Sequence, residues 1–270
     1  LYSLKGSGIT KPEHLIGKTV GIERSSDGTE INVGILYRAM LGNLDIDLDQ
    51  VNDVTIGYDA TELLAGETDV SSGYIINEPY EVIESRGDVN LIIPADYGVN
   101  MYGDVLIVNQ ETIDQNPNLV KGFIEATLDG WQYAIGNEEE TVNVVLGYTT
   151  DRTKGHETYM LQQSFNLINK GDSPLGLMEL NEWESAEKIL RDQNIIESPV
   201  DVNEIFTNQF FDWSKLRNKK EEVKGYEVKE SINDFCLWWN QSKRIVAILI
   251  IHRLVCILIF LFLEEIICEF

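Results

Sequence analysis

Apolar residues come in short blocks along the first hundred positions, and the spacing inside the blocks switches between strand and helix periods. Residues 11–15 read as a helical turn leading into a strand at 18–22. A polar loop at 23–28 follows. Residues 29–41 carry apolar side chains at 31, 35, 36, 39, 40 and 41, which is helical spacing. Ser26, Asp27 and Thr29 are residue types that cap a helix start. Further strands are predicted at 53–57 and 70–76, and helices at 60–64 and 78–85, with a turn at 66–69. Apolar runs at 89–94 and 104–109 read as two more strands. Strands alternating with helices of about ten residues imply βαβ units on a largely parallel sheet.

Past Asn109 the pattern becomes helical. Residues 117–135 place Leu119, Phe123, Ala126, Trp131 and Ala134 on a periodic stripe. Asn137 followed by Glu138, Glu139 and Glu140 is a capping-box signature for the next helix. Helices are also predicted at 153–167 and 182–193. Residues 216–244 form a charged linker. Residues 245–263 are almost unbroken Ile, Leu, Val and Phe, interrupted by His252 and Arg253. A mid-membrane Arg costs ~2.5–3.5 kcal/mol and each large apolar residue gains ~0.3–0.6 kcal/mol, so the run is apolar enough to span. It reads as a membrane anchor or as a spurious tail.

Charge divides the chain at the same place. Residues 1–215 hold 13 basic and 37 acidic side chains, while residues 216–270 hold 8 of each. The net charge of −24 therefore belongs wholly to the body. A surface this acidic excludes nucleic acid as a partner, because phosphate contacts need a basic face. Cys236, Cys256 and Cys268 all lie in the tail, so the body has neither disulfides nor a cysteine metal site. His14, His156 and His252 are isolated and lack metal-ligand spacing. No metal, cofactor or catalytic residue is expected, and the chain reads as a binder of small molecules, not as an enzyme. It opens mid-pattern at Leu1, as a chain whose start lies upstream would.

The candidate chemistry sits where predicted strands end. The block Gly73-Tyr74-Ile75-Ile76-Asn77-Glu78-Pro79-Tyr80 delivers Tyr74, Asn77 and Glu78 at the end of a strand, the edge where open α/β sheets bind ligands. Glu78 also opens a helix, where the dipole favours a carboxylate, so simple capping competes with a binding role. Ser25, Ser26 and Thr29 form a polar loop before a helix and can receive a carbonyl or an anion. Asp27 in that loop disfavours an anion. Tyr97, Tyr102 and Asp104 precede the predicted strand at 104–109 and either touch ligand or close a hinge.

Several of these runs together carry a resemblance. Leu4-Lys5-Gly6-Ser7-Gly8-Ile9, the run from Lys11 to Ile22, and Tyr74-Ile75-Ile76-Asn77-Glu78-Pro79 resemble the second lobe of solute-binding proteins of the NMT1/THI5-like family. Tyr97-Gly98-Val99, Tyr102-Gly103-Asp104-Val105-Leu106, Phe123-Ile124-Glu125-Ala126, Gly130-Trp131 and Phe206-Thr207-Asn208 fit in the same order, so the likeness is collinear over about 1–211. It implies a type-II periplasmic-binding-protein fold, two α/β lobes with a hinge and the first lobe incomplete. The binding domain would be 1–215, with lobe two at 8–97 and the C-terminal part of lobe one at 104–211.

The resemblance also implies a function. The chain would be an extracytoplasmic component of an ABC importer, partnered by a permease and taking a thiamine-precursor pyrimidine or a similar nitrogen heterocycle. Tyr74 would pack on the ring and Glu78 accept its hydrogen bonds. The alternatives are the ligand-sensing domain of a membrane receptor with a signalling module, and a binder of nitrate, sulfonate or taurine. The family's fungal pyrimidine synthases use a Cys-rich motif, which this body lacks.

Overall fold

The computed structural model describes residues 1–25, 27–150, 152–168 and 174–211. The apolar run 245–263 lies outside them. Among the described residues no helix is long and apolar enough to cross a membrane. Contacts divide the chain into two compact units. The first gathers Leu1–Gly103 with 152–167 and Met178–Phe206, and the second is centred on Asp104–Thr150.

In chain order the first unit contains β1 (Tyr2–Leu4), β2 (Thr19–Glu23), α1 (Asn32–Asn43), β3 (Asn52–Ile56), α2 (Thr61–Ala65), β4 (Val70–Ser71), α3 (Glu78–Arg86) and β5 (Val89–Leu91). The second unit supplies α4 (Gln110–Gln115), α5 (Pro117–Gly136) and α6 (Glu138–Leu146). The chain then returns to the first unit with α7 (Lys154–Ile168) and α8 (Leu180–Asp192).

The strands form one sheet in the order β3-β2-β4-β1-β5. β2 runs parallel to β3 and β4, whereas β1 is antiparallel to β4 and β5. The sheet is therefore mixed, because a strand of three residues with no periodic signal inserts against the common direction. Tyr2 faces Ser71 on one side and Leu91 on the other.

Successive residues of a strand point to opposite faces. On β2, Val20 and Ile22 enter a core with Leu15, Tyr37, Met40, Leu41, Val70 and Ile189, so α1 and α8 cover that face. A Leu or Met fully withdrawn from water contributes roughly 1.5–3 kcal/mol, so Met40 and Leu41, both fully buried, fasten α1 firmly. Gly21 and Glu23 point the other way. A Cβ on Gly21 would lie 2.6 Å from Ile56 Cγ2, and only glycine lets β3 pack this closely. Tyr2, Ala60, Leu63, Val82 and Val89 form the core on the second side, under α2 and α3.

Three local expectations are corrected. The strand expected at 70–76 ends at Ser71, because the rungs that would follow are diverted to side chains: Glu23 N–H donates to Ser72 Oγ at 2.8 Å, and Tyr74 N–H is taken by a side chain described below. The run 104–109 is not a strand. Leu106 and Ile107 are exposed there, and no strand among the described residues pairs with it. Helix α1 starts at Asn32 with no side-chain cap. Asp27 instead closes its own turn, accepting from Ser25 Oγ at 2.5 Å and Thr29 N–H at 2.9 Å.

In the second unit α5 starts at Pro117, a position that costs no hydrogen bond. The capping box at Asn137 does not form. Its amide donates back to Tyr133 O at 2.9 Å, finishing α5, while Glu138, Glu139 and Glu140 bring negative charge to the first turn of α6.

Candidate ligand-binding site

The turn that joins β4 to α3 is built around one carboxylate. Glu78 is the first residue of α3 and is 4% exposed. Its Oε2 accepts from Tyr74 N–H at 2.7 Å, and its Oε1 accepts from Asn77 Nδ2 at 2.5 Å. Burial pushes the Glu78 carboxyl above its ordinary range, against the pull of the donors in its own turn. A carboxylate offers about four lone-pair directions, so these two bonds leave acceptor capacity. Gly73 is obligatory here. A Cβ would meet Glu78 Oε2 at 2.8 Å and the Tyr2 ring at 3.0 Å.

Helix α7 clasps the same turn from far along the chain. Asn77 Oδ1 accepts from Arg152 Nη1 at 3.1 Å and lies 2.9 Å from His156 Nε2. Tyr159 donates its hydroxyl to Ile75 O at 2.9 Å. The Tyr80 ring stands 4.9 Å from the His156 ring and 5.2 Å from that of Tyr159, centre to centre. Since Asn77 Oδ1 is the acceptor, His156 carries its proton on Nε2. Burial, helped by the Arg152 charge, pulls the His156 pKa down to about 4, so the ring is neutral near pH 7. Arg152 Nε lies 3.7 Å from Oε1 of the buried Glu157. Asn77 thus spends both acceptor positions and one donor on neighbours, and works as the keystone of the turn.

Beside the turn, at the end of β2, lies a second carboxyl. Glu23 is 1% exposed, and its N–H donates to Ser72 Oγ at 2.8 Å. Its Oε1 and the Tyr2 hydroxyl are buried without a hydrogen-bond partner among the described residues. Burial, then the charge of Glu78, pushes the Glu23 carboxyl up to about 8. The same burial and the same two carboxylates raise the Tyr2 hydroxyl.

The family model described as NMT1/THI5 like matches residues 1–141. The chain belongs to the NMT1/THI5-like family. Its mixed five-stranded sheet with covering helices is the α/β architecture of a type-II periplasmic binding protein. Among relatives, the riboflavin-binding protein RibY of Chloroflexus aurantiacus is 26% identical over 204 residues, covering 73% of this chain and 56% of that protein. The formylaminopyrimidine-binding protein of Halalkalibacterium halodurans is 26% identical over 204 residues, covering 73% and 60%. The 4-amino-5-hydroxymethyl-2-methylpyrimidine phosphate synthase of Legionella pneumophila is 24% identical over 218 residues, covering 78% and 65%. The chain thus spans between half and two thirds of the length of these relatives.

Within this NMT1/THI5-like chain the structure brings Tyr74, Asn77 and Glu78 into one turn. Ser25 and Thr29 lie in the self-closed turn around Asp27, and Ser26 lies outside the described residues. Tyr97 packs half-buried against the core beneath α1. The Tyr102 hydroxyl accepts from Glu179 N–H at 2.7 Å, and its ring stands 5.8 Å from that of Trp183. Asp104 is exposed and opens the second unit. Arg152, Tyr159 and Glu23 stand out by no sequence signal read above, and His156, isolated in sequence, meets Asn77 in space. Arg152, His156 and Tyr159 lie on α7 or just before it, 75 or more residues from the turn they hold. For Glu23, a charged residue closing an otherwise apolar strand was the available signal.

Proposed function

We propose that this chain is the solute-binding component of an ABC importer and that its ligand is a small aminopyrimidine or a similar nitrogen heterocycle. The observation that carries the reading is Glu78, a buried carboxylate fixed at the start of α3 by two donors of its own turn. Such a group accepts N–H bonds from an amino-heterocycle without rearranging, and Tyr74 supplies a ring in the same turn. The names of the relatives point the same way, two being binding proteins and two carrying a pyrimidine in their names. Nothing in the turn resembles an activated nucleophile, since the neutral His156 directs Nε2 at an amide oxygen. The protein releases its ligand unaltered, works outside the cytoplasm and delivers to a permease.

Titration calorimetry of the full chain with formylaminopyrimidine tests this, with riboflavin as the competing ligand. Glu78→Ala is expected to weaken pyrimidine binding ten- to hundredfold, the equivalent of a charge-assisted bond worth ~1.5–3 kcal/mol. Tight binding of riboflavin but not of pyrimidine would replace the ligand class.

A further inference from the structure

The buried polar nest formed by Glu23, Tyr2 and Glu78 is not explained by the turn alone. We propose that Glu23 is a second carboxyl of the binding site: together with the Tyr2 hydroxyl it reads a ligand edge carrying both an N–H donor and a ring-nitrogen acceptor. The proposal rests on the reading that this site takes an aminopyrimidine, and it names the residues that would recognise that edge.

Three observations converge. The first is unmet bonding. Glu23 Oε1 and Tyr2 Oη are both buried without a hydrogen-bond partner among the described residues, and buried polar atoms left so call for a missing partner. The second is place. Glu23 closes β2 and points to the same face as Tyr2, at the carboxyl ends of the parallel strands, where open α/β sheets take their ligands. Glu78 belongs to the same nest: its Oε2 and the Tyr2 ring both crowd the position that a Cβ on Gly73 would occupy. The bare glycine lets these two side chains come together.

The third is complementarity. Two carboxyls in one buried nest do not both ionise readily, and the one that keeps its proton presents a donor as well as an acceptor. Burial and the Glu78 charge hold Glu23 as the neutral acid near pH 7. An acid O–H beside a C=O matches a ring nitrogen beside an exocyclic amine. An ionised carboxylate alone matches only the amine.

The experiment is calorimetric titration of the full chain with 4-amino-5-hydroxymethyl-2-methylpyrimidine and with its analogue lacking the 4-amino group. Wild type is expected to favour the amino compound by about tenfold or more. Glu23→Leu, similar in size and unable to bond, is expected to lose about tenfold or more for the amino compound and to lose the preference. Glu23→Gln, which keeps one donor and one acceptor, recovers most of that loss. Wild-type affinity falls as pH rises through about 8, and Glu23→Gln removes the fall. Tyr2→Phe, which deletes only the hydroxyl, gives a smaller loss and carries the test should Glu23→Leu not fold. If wild type binds the amino compound and both Glu23→Leu and Tyr2→Phe bind it equally well, the orphaned atoms serve a buried water and the proposal is wrong. If wild type binds neither pyrimidine, the ligand class itself fails and takes this proposal with it.

Discussion

His156 Nε2 lies 2.9 Å from Asn77 Oδ1 although the two residues are 79 positions apart. The contact ties helix α7 to the turn that carries Glu78, so the geometry of that carboxylate is set partly by a helix arriving much later in the chain. Arg152 strengthens the tie with its own bond to the same oxygen.

Asn77→Ala is therefore expected to act as more than a surface change. It removes the acceptor of two donors and the donor to Glu78, and leaves those groups half-satisfied in a buried place. A loss of about 1–3 kcal/mol of stability should follow, read by urea unfolding, with a smaller loss for His156→Ala. Equal stability of wild type and Asn77→Ala would show that the clasp carries no weight.

Glu78→Gln offers a sharper test, because both carboxyl oxygens accept from N–H donors. A glutamine amide must turn its NH2 toward either Tyr74 N–H or the Asn77 amide. This near-isosteric change is expected to destabilise by about 1–3 kcal/mol, a penalty absent from exposed Glu→Gln changes. Thermal melts of Glu78→Gln beside Glu84→Gln make the comparison.

Gly73→Ala places a methyl group 2.8 Å from Glu78 Oε2 and 3.0 Å from the Tyr2 ring. Overpacking of this kind costs about 1–3 kcal/mol, and it should displace the turn enough to weaken ligand binding as well. A variant with wild-type melting temperature and affinity would mean that the nest yields easily.

Two groups, one buried and one half-buried, give the stability curve opposite slopes. The folded state withholds a proton from His156 until about pH 4, whereas the unfolded ring takes it near 6.5, so stability is lost as pH falls across that window. Glu23 behaves in reverse: its folded carboxyl keeps its proton up to about 8, against an ordinary value of 4.5, so stability is present below 4.5 and lost as pH rises toward 8. Melting temperatures taken between about pH 4 and 9 should show His156→Gln flattening the acid limb and Glu23→Gln the alkaline limb. Parallel curves for wild type and either variant would contradict the corresponding assignment.

Where the hydrophobic period was long, the sequence was easy to read. The stripe from Leu119 to Ala134 lies on α5, and 182–193 falls within a turn of α8. Around Tyr74, Asn77 and Glu78 the helix start was legible, but the strand was not, since β4 stops at Ser71 and leaves Tyr74 and Asn77 in a turn. Short elements were not legible. Tyr2, Ser3 and Leu4 carry no period, and only their pairing with distant Ser71 and Leu91 makes them a strand. The run 104–109 shows the converse, apolar content without a ladder to join. At Asp27 two local solutions competed, a helix cap and an Asx-type turn, and the nearer donors of Ser25 and Thr29 won. Arg152 and His156 were invisible because their importance lies in a partner 75 to 79 residues away, and residue type alone does not encode that distance.

Strand β1 precedes its partners in sequence yet is interior in the sheet, bonded on one side to β4 and on the other to β5. As the chain leaves the ribosome, β1 must wait for roughly ninety more residues before both neighbours exist. High contact order of this sort slows folding and lengthens the time that two strand edges stand open to wrong partners. Losing β1 would therefore part β5 from the other strands, not shorten the rim of the sheet.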